Sequence, residues 1–164
     1  MAVVTAASNY LVQFPINAWL TWGAFFYPAT FLVNELTNRR HGAGSARRVV
    51  YIGLCTGLAV SLLIATPRIA LASAAAFMNA QLCDIAIFSR WRQRGAWWSA
   101  PLISSVSASL LDTTVFFAVA FVGTDVAWWR LGAGDFVVKV LLDLTMLAPF
   151  RAAISLHRSA RVTA

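Results

Sequence analysis

VVYIGLCTGLAVSLLIATPRIALASAAAFMNAQLCDIAIF, residues 49–88, carries no charged side chain except Arg68 and Asp84. A helix needs about 20 predominantly apolar residues to cross the hydrocarbon core of a bilayer, and this stretch supplies that length twice. Pro67 lies between the two runs. It has no N–H to donate and disfavours helix at the residue before it, so it predicts a tight reversal. Two antiparallel crossings follow, Val49–Thr66 and Ile69–Phe88.

The flanking sequence continues the pattern. Further apolar runs predict spans over Ala2–Ile16, Trp19–Leu36, Pro101–Val122 and Asp135–Leu156. The first is short and contains Ser8, Asn9 and Gln13; it lacks the basic start and small-residue cleavage site of a signal peptide, so it reads as a retained helix. Composition agrees: of 164 residues 60% are hydrophobic and only 12% charged, more apolar surface than a soluble fold of this size can hide. The expected architecture is an all-α integral membrane protein, a six-helix transmembrane bundle in a single domain, residues 1–164.

Charge orients that bundle. The net charge of +7 would suggest nucleic-acid binding in a soluble protein, but the arginines cluster between apolar runs. Arg39, Arg40, Arg47 and Arg48 follow span two, Arg90, Arg92 and Arg94 follow span four, and Arg151, Arg158 and Arg161 close span six. Only Arg68 and Arg130 fall on the other side. The positive-inside rule then places both termini in the cytoplasm, and no nucleic-acid partner is expected. Trp97–Trp98 and Trp128–Trp129 stand where an interfacial aromatic belt belongs. Small residues fill span four (Ala72, Ala76, Ala80) and span five (Ser104, Ser105, Ala108, Ser109), which predicts close packing of these two helices at the bundle centre.

The acids point to function. Glu35, Asp84, Asp112, Asp135 and Asp143 all lie in or at the ends of predicted spans, where an ionised group costs several kcal/mol unless it meets a partner or a polar cavity. Asp112 sits near the middle of span five. Asp135, Lys139 and Asp143, at i, i+4 and i+8, share one helix face, so the lysine can neutralise one acid and leave another free. Structural alternatives stand beside these readings. They are an interhelical hydrogen bond for Asp112, an internal ion pair for Lys139, a surface salt bridge of Asp84 with Arg90 or Arg92, and an ion pair of Glu35 with Arg39. Cys55 and Cys83 have no CxxC spacing, and His41 and His157 sit in basic connecting segments, so no metal or cofactor is expected.

Four strings, in order along the chain, resemble the queuosine-precursor transporters of the vitamin-uptake-transporter family. They are SNYLVQFPI (8–16), TWGAFFYPATFLVNELTNRRHGAGSARR (21–48), RIALASAAAFMNAQLCDIAIFSRWRQRGAWWSAPLISSVSASLLDT (68–113) and GDFVVKVLL (134–142). QxxD at Gln81–Asp84, the RxRxxxxWW that starts at Arg90, the Asp112–Thr113 pair and DxxxK at Asp135–Lys139 carry the resemblance. It implies a bacterial inner-membrane importer of 7-cyano-7-deazaguanine or 7-aminomethyl-7-deazaguanine, salvaged for the queuosine of tRNA. It also implies roles for Asn9, Glu35, Arg68, Gln81, Asp84, Asp112, Asp135 and Lys139. The chain departs from the family in a shorter N-terminus and in a loop between spans three and four reduced almost to Pro67.

The residues suit such a guest independently of the family. A carboxylate accepts both the ring N–H and the adjacent amino group of a guanine-like face. Asp112 or Asp135 is favoured for that contact, Gln81 or Asn9 for the carbonyl edge, and Trp22, Phe25 and Phe116 for covering the flat ring. A second reading is a substrate-binding subunit that needs a separate energising partner, since no GxxxxGK[ST] is present. A third, an intramembrane enzyme, lacks any GxSxG or HExxH. A homodimer resting on the aromatic faces of spans two and five is compatible with so few helices.

Overall fold

The structure, a computed structural model, describes residues 7, 15–17, 20–64, 66–125 and 128–162. A short antiparallel ladder of β1 (Pro15–Asn17) with β2 (Leu20–Thr21) leads into four helices. These are α1 (Gly23–Ile64), α2 (Pro67–Trp91), α3 (Ser99–Phe121) and α4 (Trp128–Val162). Among the described residues, three stretches are long and apolar enough to cross a membrane: Pro28–Ile64, Pro67–Trp91 and Ser99–Phe121. In α4 the run is interrupted by Asp135, Lys139, Asp143 and Arg151.

Gly42 divides α1. Its φ of +81° and ψ of 171° are not helical, so the element is two arms, residues 23–41 and 43–64. Glycine alone takes that conformation readily, having no Cβ to clash with its own backbone. The basic segment expected as a loop between spans two and three is therefore helical on both sides of one break. Asn38, Arg39, Arg40, Ala46 and Arg47 all tolerate helix, and a single left-handed residue suffices to turn the chain. At the other end of the second arm, the expected reversal at Pro67 is present. Thr66 caps α2, its Oγ1 accepting from the Ile69 N–H at 3.4 Å, and Pro67 occupies the first helical turn, where its missing N–H leaves no bond unmade.

Two boundaries differ from expectation. Span two was placed from Trp19, but Leu20–Thr21 are in the ladder and helix begins at Gly23. The end of span one, Pro15 and Ile16, is extended, a conformation that proline's fixed φ and missing N–H accommodate. Most of Ala2–Ile16, Asn9 included, lies outside the described residues.

The most extensive helix–helix contact is between α2 and α3, as their small residues predicted. Ala80 of α2 and Ala108 of α3 are fully buried and pack with Phe31 of α1. At one end, Phe88, Ala100 and Phe150 join α2, α3 and α4, with the rings of Phe88 and Phe150 edge to face at 6.0 Å. Small side chains let backbones approach, and close van der Waals packing is what binds helices where lipid is as apolar as the core. That same end gathers the basic residues. Arg92 Nη1 donates to the Asn38 carbonyl at 2.9 Å, Arg40 Nη2 donates to that of Ala153 at 3.4 Å, and Arg151 lies 5.0 Å above the Trp97 ring. Arg68 is at the other end, donating to the Val119 and Val122 carbonyls that α3 leaves open at its C-terminus.

Large apolar side chains lie on the outside, and many polar ones are buried beside the apolar clusters. Ile52, Leu63, Leu71, Leu110, Val137 and Leu141 are exposed, while Thr30, Asn34, Glu35, Asn38, Gln81, Asp84, Ser109, Asp112, Lys139 and Asp143 are buried. Water as solvent would favour the reverse arrangement; lipid favours this one.

Candidate functional site

The polar interior has two parts. The first joins α1 to α2. Thr30, Asn34 and Asn38 recur every four residues and so form one stripe on α1. Gln81 and Asp84, three residues apart on α2, face it. Gln81 Nε2 donates to Thr30 Oγ1 at 2.8 Å, and Asn34 Nδ2 donates to Asp84 Oδ2 at 2.9 Å and to the Gln81 carbonyl at 3.3 Å. Lower on the stripe, Asn38 Nδ2 donates to Ser89 Oγ and to the Ile85 carbonyl. Glu35, beside Asn34, turns to α3, where the Ser104 and Ser105 hydroxyls lie 3.2 and 2.9 Å from its Oε1; the Pro101 carbonyl is the alternative acceptor for the single hydrogen of each.

The second part joins α3 to α4. Lys139 Nζ lies 2.7 Å from Asp112 Oδ2 and 2.5 Å from Asp135 Oδ2, bridging a carboxylate of each helix. Thr113 reinforces the bridge, donating to Asp135 Oδ2 at 2.7 Å and accepting from Lys139 Nζ at 3.2 Å. The remaining acid of the α4 stripe, Asp143, is close enough to feel the charge of Lys139, and its Oδ2 accepts from Ser109 at 2.8 Å. Glu35, Asp84 and Asp143 come from three helices yet are near enough to act on one another electrostatically.

Several expectations are corrected here. Asp84 is fully buried and bonds to Asn34, not to Arg90 or Arg92, because its helix face turns into the bundle and not to the surface. Glu35 is held by two serines, and Arg39 instead lies 6.0 Å above the Phe150 ring. Asp112 and Asp135, favoured as the acids that meet a guest, are both drawn to Lys139. Arg68, carried over as a functional position, serves as a helix cap. Gln81, Asp84 and Glu35 come together on adjoining helices, and Asp112, Asp135 and Lys139 form a group of their own. Among the aromatics, Trp22 is more than half exposed, Phe116 packs edge-on against Phe117 and Phe121 one turn beyond Asp112, and Phe25 is in α1 with its side chain outside the description.

The residues missed are Asn34, Asp143 and the serines. Asn34 had a readable signal, the Thr30–Asn34–Asn38 spacing. Asp143 was seen on its stripe but not carried to the site, and Ser104, Ser105 and Ser109 were read only as small packing residues.

Comparisons with known proteins give the chain relatives. A family model described as a putative vitamin uptake transporter matches residues 21–66 and 60–154. The queuosine precursor transporter of Escherichia coli K12 is 33% identical over 90% of this chain and 79% of its own. A probable queuosine precursor transporter of Haemophilus influenzae is 32% identical over 89% and 79%, and one of Bacillus subtilis is 26% identical over 77% and 68%. No solved structure matches the chain significantly.

Proposed function

This chain belongs to the family of putative vitamin uptake transporters, and from that premise we propose that it imports queuosine precursors for tRNA salvage. The substrates are 7-deazaguanine bases, 7-cyano-7-deazaguanine and 7-aminomethyl-7-deazaguanine. In this reading the chain is a single multi-pass domain of six spans in the bacterial inner membrane. Both termini are cytoplasmic, as the gathering of Arg40, Arg92 and Arg151 at one end supports.

The observation that carries the reading is a buried polar interior, rich in carboxylates and amides, inside helices whose outer faces are apolar. A flat base with several N–H groups suits such an interior, because each carboxylate in a dry site gains from a donor and loses heavily without one. Gln81, Asp84 and Glu35 contact or flank the base. Asp112, Asp135 and Lys139 hold the wall opposite them, and Asn9, Trp22, Phe25 and Phe116 remain as the covering groups.

The test is salvage. Cells that cannot make 7-deazaguanines and lack their own importer are supplied with either base, and queuosine in their tRNA is measured by mass spectrometry. Expression of this chain should restore it; equal queuosine with and without the chain would reject the proposal. Uptake by the purified chain alone in proteoliposomes separates an autonomous importer from a subunit that needs an energising partner.

A further inference from the structure

Four buried side-chain atoms have no hydrogen-bond partner among the described residues: Asn34 Oδ1, Gln81 Oε1, Asp84 Oδ1 and Asp143 Oδ1. Folded proteins leave few such atoms, and each costs about 1–3 kcal/mol. All four are oxygens that accept. Their side chains are fully or almost fully buried, with Asp143 the most exposed at 2%.

For Asn34, Asp84 and Asp143 the one-sidedness follows from the bonds already made; the Thr30 hydroxyl could serve either end of the Gln81 amide. Asn34 Nδ2 is committed to Asp84 Oδ2 and to the Gln81 carbonyl, two groups that can only accept, so the Asn34 amide cannot be turned round and its oxygen faces away from them. Asp84 has one oxygen on Asn34 and Asp143 one on Ser109, which leaves the second oxygen of each open. Gln81 uses one end of its amide on Thr30. Lys139, the cation nearest in character to a remedy, is drawn between Asp112 and Asp135. What completes this set is a molecule that brings donors and few acceptors on one edge.

We infer that Asn34, Gln81, Asp84 and Asp143 form the specificity site of the chain, accepting from the ring N–H and exocyclic amino edge of a guanine-like base, with Asp84 the principal acceptor. The inference rests on the import reading and moves the recognising acid from the Lys139 bridge to the α1–α2 seam. A base with the same ring and carbonyl but no amino group leaves one acceptor dry. An adenine-like edge, with an acceptor at the matching ring position, sets oxygen against nitrogen lone pair.

Proteoliposomes holding the full chain and labelled 7-cyano-7-deazaguanine provide the test, with two unlabelled competitors: the same base, and its analogue lacking the 2-amino group. The analogue should need about ten- to hundredfold more to compete, the worth of a hydrogen bond to a charged acceptor. In Asp84→Asn, whose new amide presents a donor in place of Oδ1, that ratio should fall toward one. Asp143→Asn gives a second, independent reading of it should the first variant not reach the membrane. Equal competition in the wild-type chain, or an unchanged ratio in the variants, overturns this assignment and leaves import standing. No uptake of the labelled base by the wild-type chain overturns the import reading, and this inference with it.

Discussion

The two polar regions solve the same problem in opposite ways. Between α3 and α4, a buried carboxylate, Asp112, and a partly exposed one, Asp135, share one ammonium, with Thr113 filling in beside them. Between α1 and α2, and across to Asp143, the carboxylates are hydrogen-bonded by neutral donors, Asn34, Ser104, Ser105 and Ser109, and acceptor atoms are left over. A bridged cation makes a closed electrostatic unit that locks two helices together. A set of spare acceptors is stable only in so far as something else supplies donors. The first region reads as framework and the second as a place of exchange.

Breaking the framework should have the largest effect. Lys139→Met leaves the buried Asp112 without its cation, and losing one partner of a buried pair costs about 3–5 kcal/mol. The variant should show a sharply lower melting temperature in detergent and poor yield, with partial recovery on adding Asp112→Asn. A Lys139→Met protein as stable as wild type would remove the distinction between the regions. Next is Ser109→Ala, which strips Asp143 of its hydroxyl and should cost about 1–3 kcal/mol, seen as a smaller fall in melting temperature.

A contact remote from both regions sets the scale. Arg151→Ala removes the cation above Trp97 and should cost only about 0.5–1 kcal/mol. The smallest effect on stability is expected from Asp84→Asn, within about 0.5 kcal/mol of wild type or slightly stabilising, because the amide still accepts from Asn34 while removing a charge from the dry seam. A melting temperature that falls as far as that of Lys139→Met would show Asp84 to be framework as well.

Much of this was legible in the chain. The apolar runs, Pro67 and the small residues of α2 and α3 act locally or through composition, so their consequences can be read in order along the sequence. The Asp135–Lys139 contact is also local, an i, i+4 pair on one helix. The ends of the spans were less legible: Leu20–Thr21 pair as a ladder, and the basic stretch around Gly42 stays helical on either side of one residue. The candidate site was half legible. Its acids were all visible, but Asp84 looked like a surface residue because Arg90 and Arg92 are close in sequence.

The amino-acid sequence alone determined that this chain belongs in lipid, that its long apolar runs from Gly23 onward are helical, and that several carboxylates must be compensated inside. Which partner compensates which acid was decided only by tertiary structure. Asp84 meets Asn34 fifty residues away, and Asp112 meets Lys139 across twenty-seven. Such pairings depend on how each helix is rotated and shifted against its neighbour, and the packing of Phe31, Ala80 and Ala108 across α1, α2 and α3, with that of Phe88, Ala100 and Phe150 reaching α4, bears on both quantities more than any local preference of the residues that meet.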